Sequence, residues 1–66
     1  MSFENRVLEV VANVTDVAAD FYNGTLFLET SDSKIAVAVF NALYEQIDKA
    51  VIFGKASCTE TYYDFV

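Results

Sequence analysis

Apolar residues recur every three or four positions at the start of the chain, at Phe3, Val7, Val10, Val11 and Val14, with Glu4, Asn5 and Arg6 between them. That period predicts an amphipathic helix, and Ser2 before it suits an N-cap. Asn13-Val14-Thr15-Asp16 is a run of weak helix formers whose side chains compete for backbone hydrogen bonds. Beyond it Val17, Ala19 and Phe21 alternate with Ala18, Asp20 and Tyr22, which is strand period. Asn23-Gly24 follows, a pair that tolerates positive φ at both positions and favours a tight hairpin. Thr25-Leu26-Phe27-Leu28-Glu29-Thr30 then reads as the returning strand. A competing reading carries the helical rhythm through Val17 to Phe21 and makes Gly24 the stop of one long helix from Phe3 to Tyr22. The helix-then-hairpin version is the expectation taken forward.

Ser31-Asp32-Ser33 supplies the cap of a second helix. Ile35, Val39, Ala42, Leu43, Ile47 and Ala50 form its apolar stripe, and Lys34, Asn41, Glu45, Asp48 and Lys49 lie mostly away from it. Val51-Ile52-Phe53 reads as a buried strand broken at Gly54-Lys55, and Thr59 to Val66 as a final strand. An offset of 32 residues lays Val7 on Val39, Asp16 on Asp48, Ala18 on Ala50 and Phe21 on Phe53. The expected fold is thus α+β, a single domain over residues 1–66 in the order helix-hairpin-helix-hairpin (αββαββ). Two helices would cover one face of a four-stranded, mostly antiparallel sheet.

Composition narrows what such a domain can do. A chain of 66 residues has room for one small core and is marginal alone. Cys58 is the single cysteine, so no disulfide within the chain can help. The 55% apolar content exceeds what a tiny monomer hides easily and points to burial against another chain. Ten acids against four cations give a net charge of −6, which repels nucleic acid and anionic membranes and favours basic partners. The start lacks a secretion signal, no stretch is long enough for a membrane helix, and a lone cysteine suits a reducing compartment. The expected location is the cytoplasm. There the sequons Asn13-Val14-Thr15 and Asn23-Gly24-Thr25 carry no meaning.

Little in the chain points to catalysis. There is no histidine, the usual general base near neutral pH. Cys58 has Lys55 nearby but no base to activate it, and is expected to be an inert thiol, buried or half-buried. Paired carboxylates for glycoside-type chemistry need a cleft that so small a fold hardly offers. Asp32, or Asp16 with Asp20, could give oxygen ligands, but no calcium-loop spacing is present. Gly54-Lys55 alone is no phosphate loop. The expectation is a non-enzyme with no metal and no cofactor.

Two surfaces carry the remaining signal. Val37, Phe40 and Tyr44 form a second apolar line on the second helix, to be covered either by the first helix or by another molecule, most simply a second copy. On the sheet, if Val17, Ala19, Phe21, Leu26, Leu28, Tyr63 and Phe65 face the helices, Asp20, Tyr22, Phe27, Glu29, Glu60, Tyr62 and Asp64 face outward. Aromatics among carboxylates, without a cation, suit a protein partner with a basic surface, though cross-strand aromatic pairing would explain them too. The terminal Asp64-Phe65-Val66 could be captured as a free C-terminus only if it were not part of a strand. In size, acidity and lack of catalytic apparatus the chain looks like the small accessory proteins of bacteriophages and mobile elements, a likeness of type without a shared motif. It implies a protein that inhibits or modulates a host protein by occupying its surface. The expectation is therefore a protein-binding module that forms a homodimer and binds neither nucleic acid directly nor membrane. A self-assembling structural subunit is the alternative, and an acidic mimic of nucleic acid a further one.

Overall fold

The structure, a computed structural model, describes residues 2–66. Its elements run α1 (Phe3–Val14), β1 (Ala19–Tyr22), β2 (Thr25–Leu28), α2 (Ser33–Gln46), β3 (Val51–Ser57) and β4 (Glu60–Phe65). Two helices and one antiparallel four-stranded sheet of order β1-β2-β4-β3 make the fold α+β. Among the described residues no helix is long and apolar enough to cross a membrane.

Local chemistry accounts for the boundaries. Asn5 N–H donates to the Ser2 hydroxyl at 3.1 Å, capping α1, and the helix stops at the Asn13–Thr15 run. Lys34 N–H donates to the Asp32 carboxylate at 2.9 Å, capping α2. Asn23 and Gly24 take φ of 51° and 79°, so the β1–β2 turn is the tight hairpin that the Asn-Gly pair predicts. The long-helix alternative for residues 3–22 is thereby excluded. β1 begins at Ala19, with Val17 and Ala18 ahead of it, although Glu29 N–H still donates to Ala18 C=O at 2.9 Å.

The strands meet in continuous cross-sheet rows. One row reads Phe21, Leu26, Tyr63, Phe53, and its neighbour reads Ala19, Leu28, Thr61, Lys55. Leu26, Leu28 and Tyr63 are fully buried and join Val7, Val10 and Val11 of α1 and Val39, Leu43 and Ile47 of α2 in one core. Each such aliphatic side chain contributes about 1.5–3 kcal/mol by leaving water. The Tyr63 hydroxyl donates to Ala36 C=O at 2.8 Å, so the largest core side chain also satisfies its only polar atom. Burial pushes its pKa up to about 12. Arg6 from α1 donates to Gln46 C=O at 3.1 Å, placing a cation at the C-terminal end of α2.

Besides the burial expected of Ile52 and Phe53, which are exposed, three expectations fail. β3 is not broken at Gly54-Lys55 but runs on to Ser57, with an irregularity only between Lys55 and Ser57. Gly54 is there for close approach, because the Tyr62 ring lies across it, 3.0 Å from where a Cβ would sit. Cys58 is exposed, being in the β3–β4 turn rather than the core. Ala50 is exposed as well, since α2 ends at Gln46 and the stripe closes at Ile47, while the unmarked Ala36 is buried beneath Tyr63.

Candidate functional site

The face of the sheet opposite the core is built from two other rows. Asp20, Phe27, Tyr62 and Gly54 stand opposite one another, and beside them Tyr22, Thr25, Asp64 and Ile52. Antiparallel alternation puts the members of each row on the same side, and Glu29 and Glu60 extend the surface at the strand ends. All seven outward residues read from the sequence thus share this face. Thr25, Ile52 and Gly54 belong to it too. Ile52 was hidden by reading Val51-Ile52-Phe53 as a buried strand, although it is 56% exposed, and Gly54 by the expectation that the strand breaks there; counting the alternation through the glycine finds both.

Asp20, Tyr22, Phe27, Glu29 and Glu60 line an open hollow of about 500 Å³. Phe27 and Tyr62 are half-buried and Tyr22 is 66% exposed. Among the described residues the close ring pairs are Phe3–Phe21, Phe3–Phe65, Phe21–Phe65, Phe40–Tyr44, Phe40–Phe53 and Phe53–Tyr63. None of the three outward aromatics is in that set, so ring pairing does not explain their presence. Tyr62 has a partial structural duty in covering Gly54. Asp64 has one as well, accepting a 2.6 Å hydrogen bond from the Thr25 hydroxyl. Phe27, with Asp20 and Glu29 on either side of it, faces the hollow.

Carboxylates beside aromatic faces attract ammonium and guanidinium groups through charge and the ring quadrupole. Among the described residues, no cluster of three or more histidine, cysteine, aspartate or glutamate side chains is arranged to hold a metal ion.

The second surface lies on α2. Val37 is 45% and Tyr44 68% exposed, so α1 does not cover this line. Phe40 is half-buried, its ring 4.8 Å from Phe53 of β3 and 6.1 Å from Tyr44. Val37, Phe53, Gly54 and Lys55 border a groove of about 410 Å³ between α2 and β3. Phe53, counted as a buried strand residue from the sequence, is 37% exposed and continues the α2 line onto the sheet edge.

No protein-family model, curated protein or solved structure matches the chain.

Proposed function

We propose that the chain is a small protein-binding module that takes a partner's basic segment on the outer face of its sheet. In this reading both helices cover the opposite face and the module works in the cytoplasm, modulating its partner by occupying surface and catalysing no reaction. The observation that carries it is the hollow at Phe27, where Asp20, Glu29 and Glu60 surround exposed aromatic surface that no neighbouring ring covers. A lysine or arginine side chain laid there meets both a ring face and carboxylates. Anchors of this kind typically cost about 2 kcal/mol or more when truncated, whereas rim acids mainly set association rate and salt dependence.

The test is selection from a random peptide display library, followed by titration of the enriched peptides. Enriched peptides should be rich in arginine and lysine. Phe27→Ala and Tyr62→Ala should weaken them by about thirtyfold or more, the factor that 2 kcal/mol implies. Asp20→Asn and Glu29→Asn should weaken binding less and flatten its dependence on salt. Enrichment of acidic or purely apolar peptides, or unchanged affinity in folded Phe27→Ala protein, would sink the reading.

Self-association through Val37, Phe40 and Tyr44 is part of the same proposal. It is supported by the exposure of that line and by the apolar surplus of the chain. A homodimer would leave the outer sheet face available on each copy.

A further inference from the structure

We infer that β3 is the seam of the homodimer: two copies join antiparallel along this edge, two-fold at Phe53, into one continuous sheet. The inference rests on the homodimer reading above and names its contact.

The hydrogen-bonding direction of β3 follows from one bond. Val66 N–H donates to Ala50 C=O at 2.9 Å, in step with the β3–β4 register. Antiparallel alternation then turns the backbone groups of Ile52 and Gly54 toward β4, and those of Val51, Phe53 and Lys55 outward. β3 is an edge strand seven residues long, with no proline and no carboxylate. Proteins usually blunt an edge of this length. On β3 the blunting devices, Lys55 and the irregularity after it, stand only toward the far end, whereas the other edge is blunted throughout: β1 has four residues, carries Asp20 and follows Asp16.

Only one register satisfies all three outward residues symmetrically. Phe53 pairs with Phe53 of the second copy, and Val51 with Lys55 of the second copy. Lys55 therefore meets an apolar neighbour and not its own charge. On the core side the two Phe53 rings come together, and Val37 and Tyr44 on α2 approach the second copy beside them. On the outer side Ile52, 56% exposed, falls opposite Gly54 of the second copy, against the tyrosine ring that covers it. Among the described residues seven large apolar side chains are exposed, and Val37, Tyr44, Ile52 and Phe53 are four of them. The pairing draws those four to one contact.

Charge selects a second copy as the occupant. Two chains of net −6 can meet only where their acids are absent. No carboxylate occurs from Ser33 through Tyr44 or from Val51 through Thr59, and the same two stretches hold Lys34 and Lys55. These lie in the two longest acid-free stretches of the chain, and together they combine the open edge with the exposed apolar line.

Sedimentation equilibrium between about 1 and 100 µM on Cys58→Ser protein, with residue-resolved amide exchange at both ends of the range, tests the pairing. The dimer mass should appear at the upper end. The Val51, Phe53 and Lys55 amides should exchange about tenfold more slowly there than at the lower end. Lys55→Pro removes an outward N–H without touching the β4 ladder, and should shift the dimer to monomer with its helical circular dichroism intact. A monomer throughout the range overturns the inference. So does a dimer whose edge amides exchange at one rate at both concentrations, or one that survives Lys55→Pro but is dispersed by Tyr44→Glu. In that last case the α2 line alone would be the contact. Titration of basic peptides on the Lys55→Pro monomer separates this result from the outer-face reading, which predicts that they still bind.

Discussion

The two halves of this domain repeat one plan and finish it differently. β1 opens at Ala19 and β3 at Val51, 32 positions apart, and Phe21 and Phe53 end the same cross-sheet row on opposite edges. In the N-terminal half Phe21 is closed in, with Phe3 of α1 at 6.1 Å and Phe65 of β4 stacked at 6.1 Å. Lys49 lies 5.1 Å over the Phe3 ring and finishes that corner with a cation. In the C-terminal half Phe53 packs tilted against Phe40 and stacks on Tyr63, yet keeps 37% of its surface in water. The same offset sets Asn5, Leu8 and Ala12 of α1 against Val37, Phe40 and Tyr44 of α2, and Asp20 of β1 against Ile52 of β3. The N-terminal half closes in the phenylalanine at its sheet edge, whereas the C-terminal half carries Val37, Tyr44, Ile52 and Phe53 outward along its own. Val37, Tyr44 and Ile52 thus stand exposed where the sister half has Asn5, Ala12 and Asp20, and an exposed apolar patch of this kind supports the proposed contact.

The strongest way to break this comparison is to truncate the two equivalent phenylalanines. Removing a core phenylalanine costs about 3–5 kcal/mol, so half-buried Phe21→Ala should cost roughly 2–3 kcal/mol at any protein concentration. Phe53→Ala, measured at about 1 µM where the monomer prevails, should cost roughly 1 kcal/mol, with its larger effect on association. Urea unfolding of both variants at low and high concentration checks this. Equal, concentration-independent losses would mean that the C-terminal half is an ordinary core and that the asymmetry has no consequence.

A smaller effect belongs to Tyr63, which lies between the halves in the row from Phe21 to Phe53. Its phenol titrates near 10 in the unfolded chain and near 12 in the fold, because burial penalises the phenolate. The unfolded state therefore releases the proton first. Stability from this group is complete below pH 10 and is lost progressively as pH rises to about 12, to a total of roughly 2–3 kcal/mol. Tyr63→Phe should cost about 1 kcal/mol near neutral pH, through the lost bond to Ala36, and should flatten the alkaline limb. An unchanged alkaline limb in Tyr63→Phe protein would show that other groups carry the pH dependence.

What the sequence made legible follows from which signals are local. The caps at Ser2 and Asp32, the weak run at Asn13–Asp16 and the Asn23-Gly24 turn act over two to four residues, and each boundary formed where those residues are. Period alone placed the outward residues of β1, β2 and β4. Gly54 was misjudged because its reason is remote: it admits the ring of Tyr62, which stands opposite it on the neighbouring strand. Strand order was also out of reach, since it depends on how β2 and β4 pair across the sequence, and with it went the knowledge that β3 is an edge. The line Val37, Phe40, Tyr44 was visible. Its continuation through Phe53 and Ile52 required that edge to be known.

The smallest expected effect comes from Cys58, and it sharpens the comparison by removing a rival cause. The N-terminal hairpin turns through two residues with no thiol, whereas the longer C-terminal hairpin puts its exposed cysteine in the turn, beside the proposed seam. There the Ser57 hydroxyl accepts from Thr59 N–H at 3.2 Å, so the turn is held by its neighbours and not by the thiol. Cys58→Ser should shift stability by no more than about 0.5 kcal/mol, as surface changes do, instead of the core-sized loss that a buried thiol would bring. An exposed thiol can still link two chains by oxidation, and that covalent dimer would imitate one formed along β3. The two are told apart by mass under reducing conditions and in the serine variant. If association follows the open edge and the apolar line, the dimer persists in both. If the dimer vanishes with the thiol, the exposed groups of the C-terminal half do not hold copies together, and the difference between the halves needs another partner to explain it.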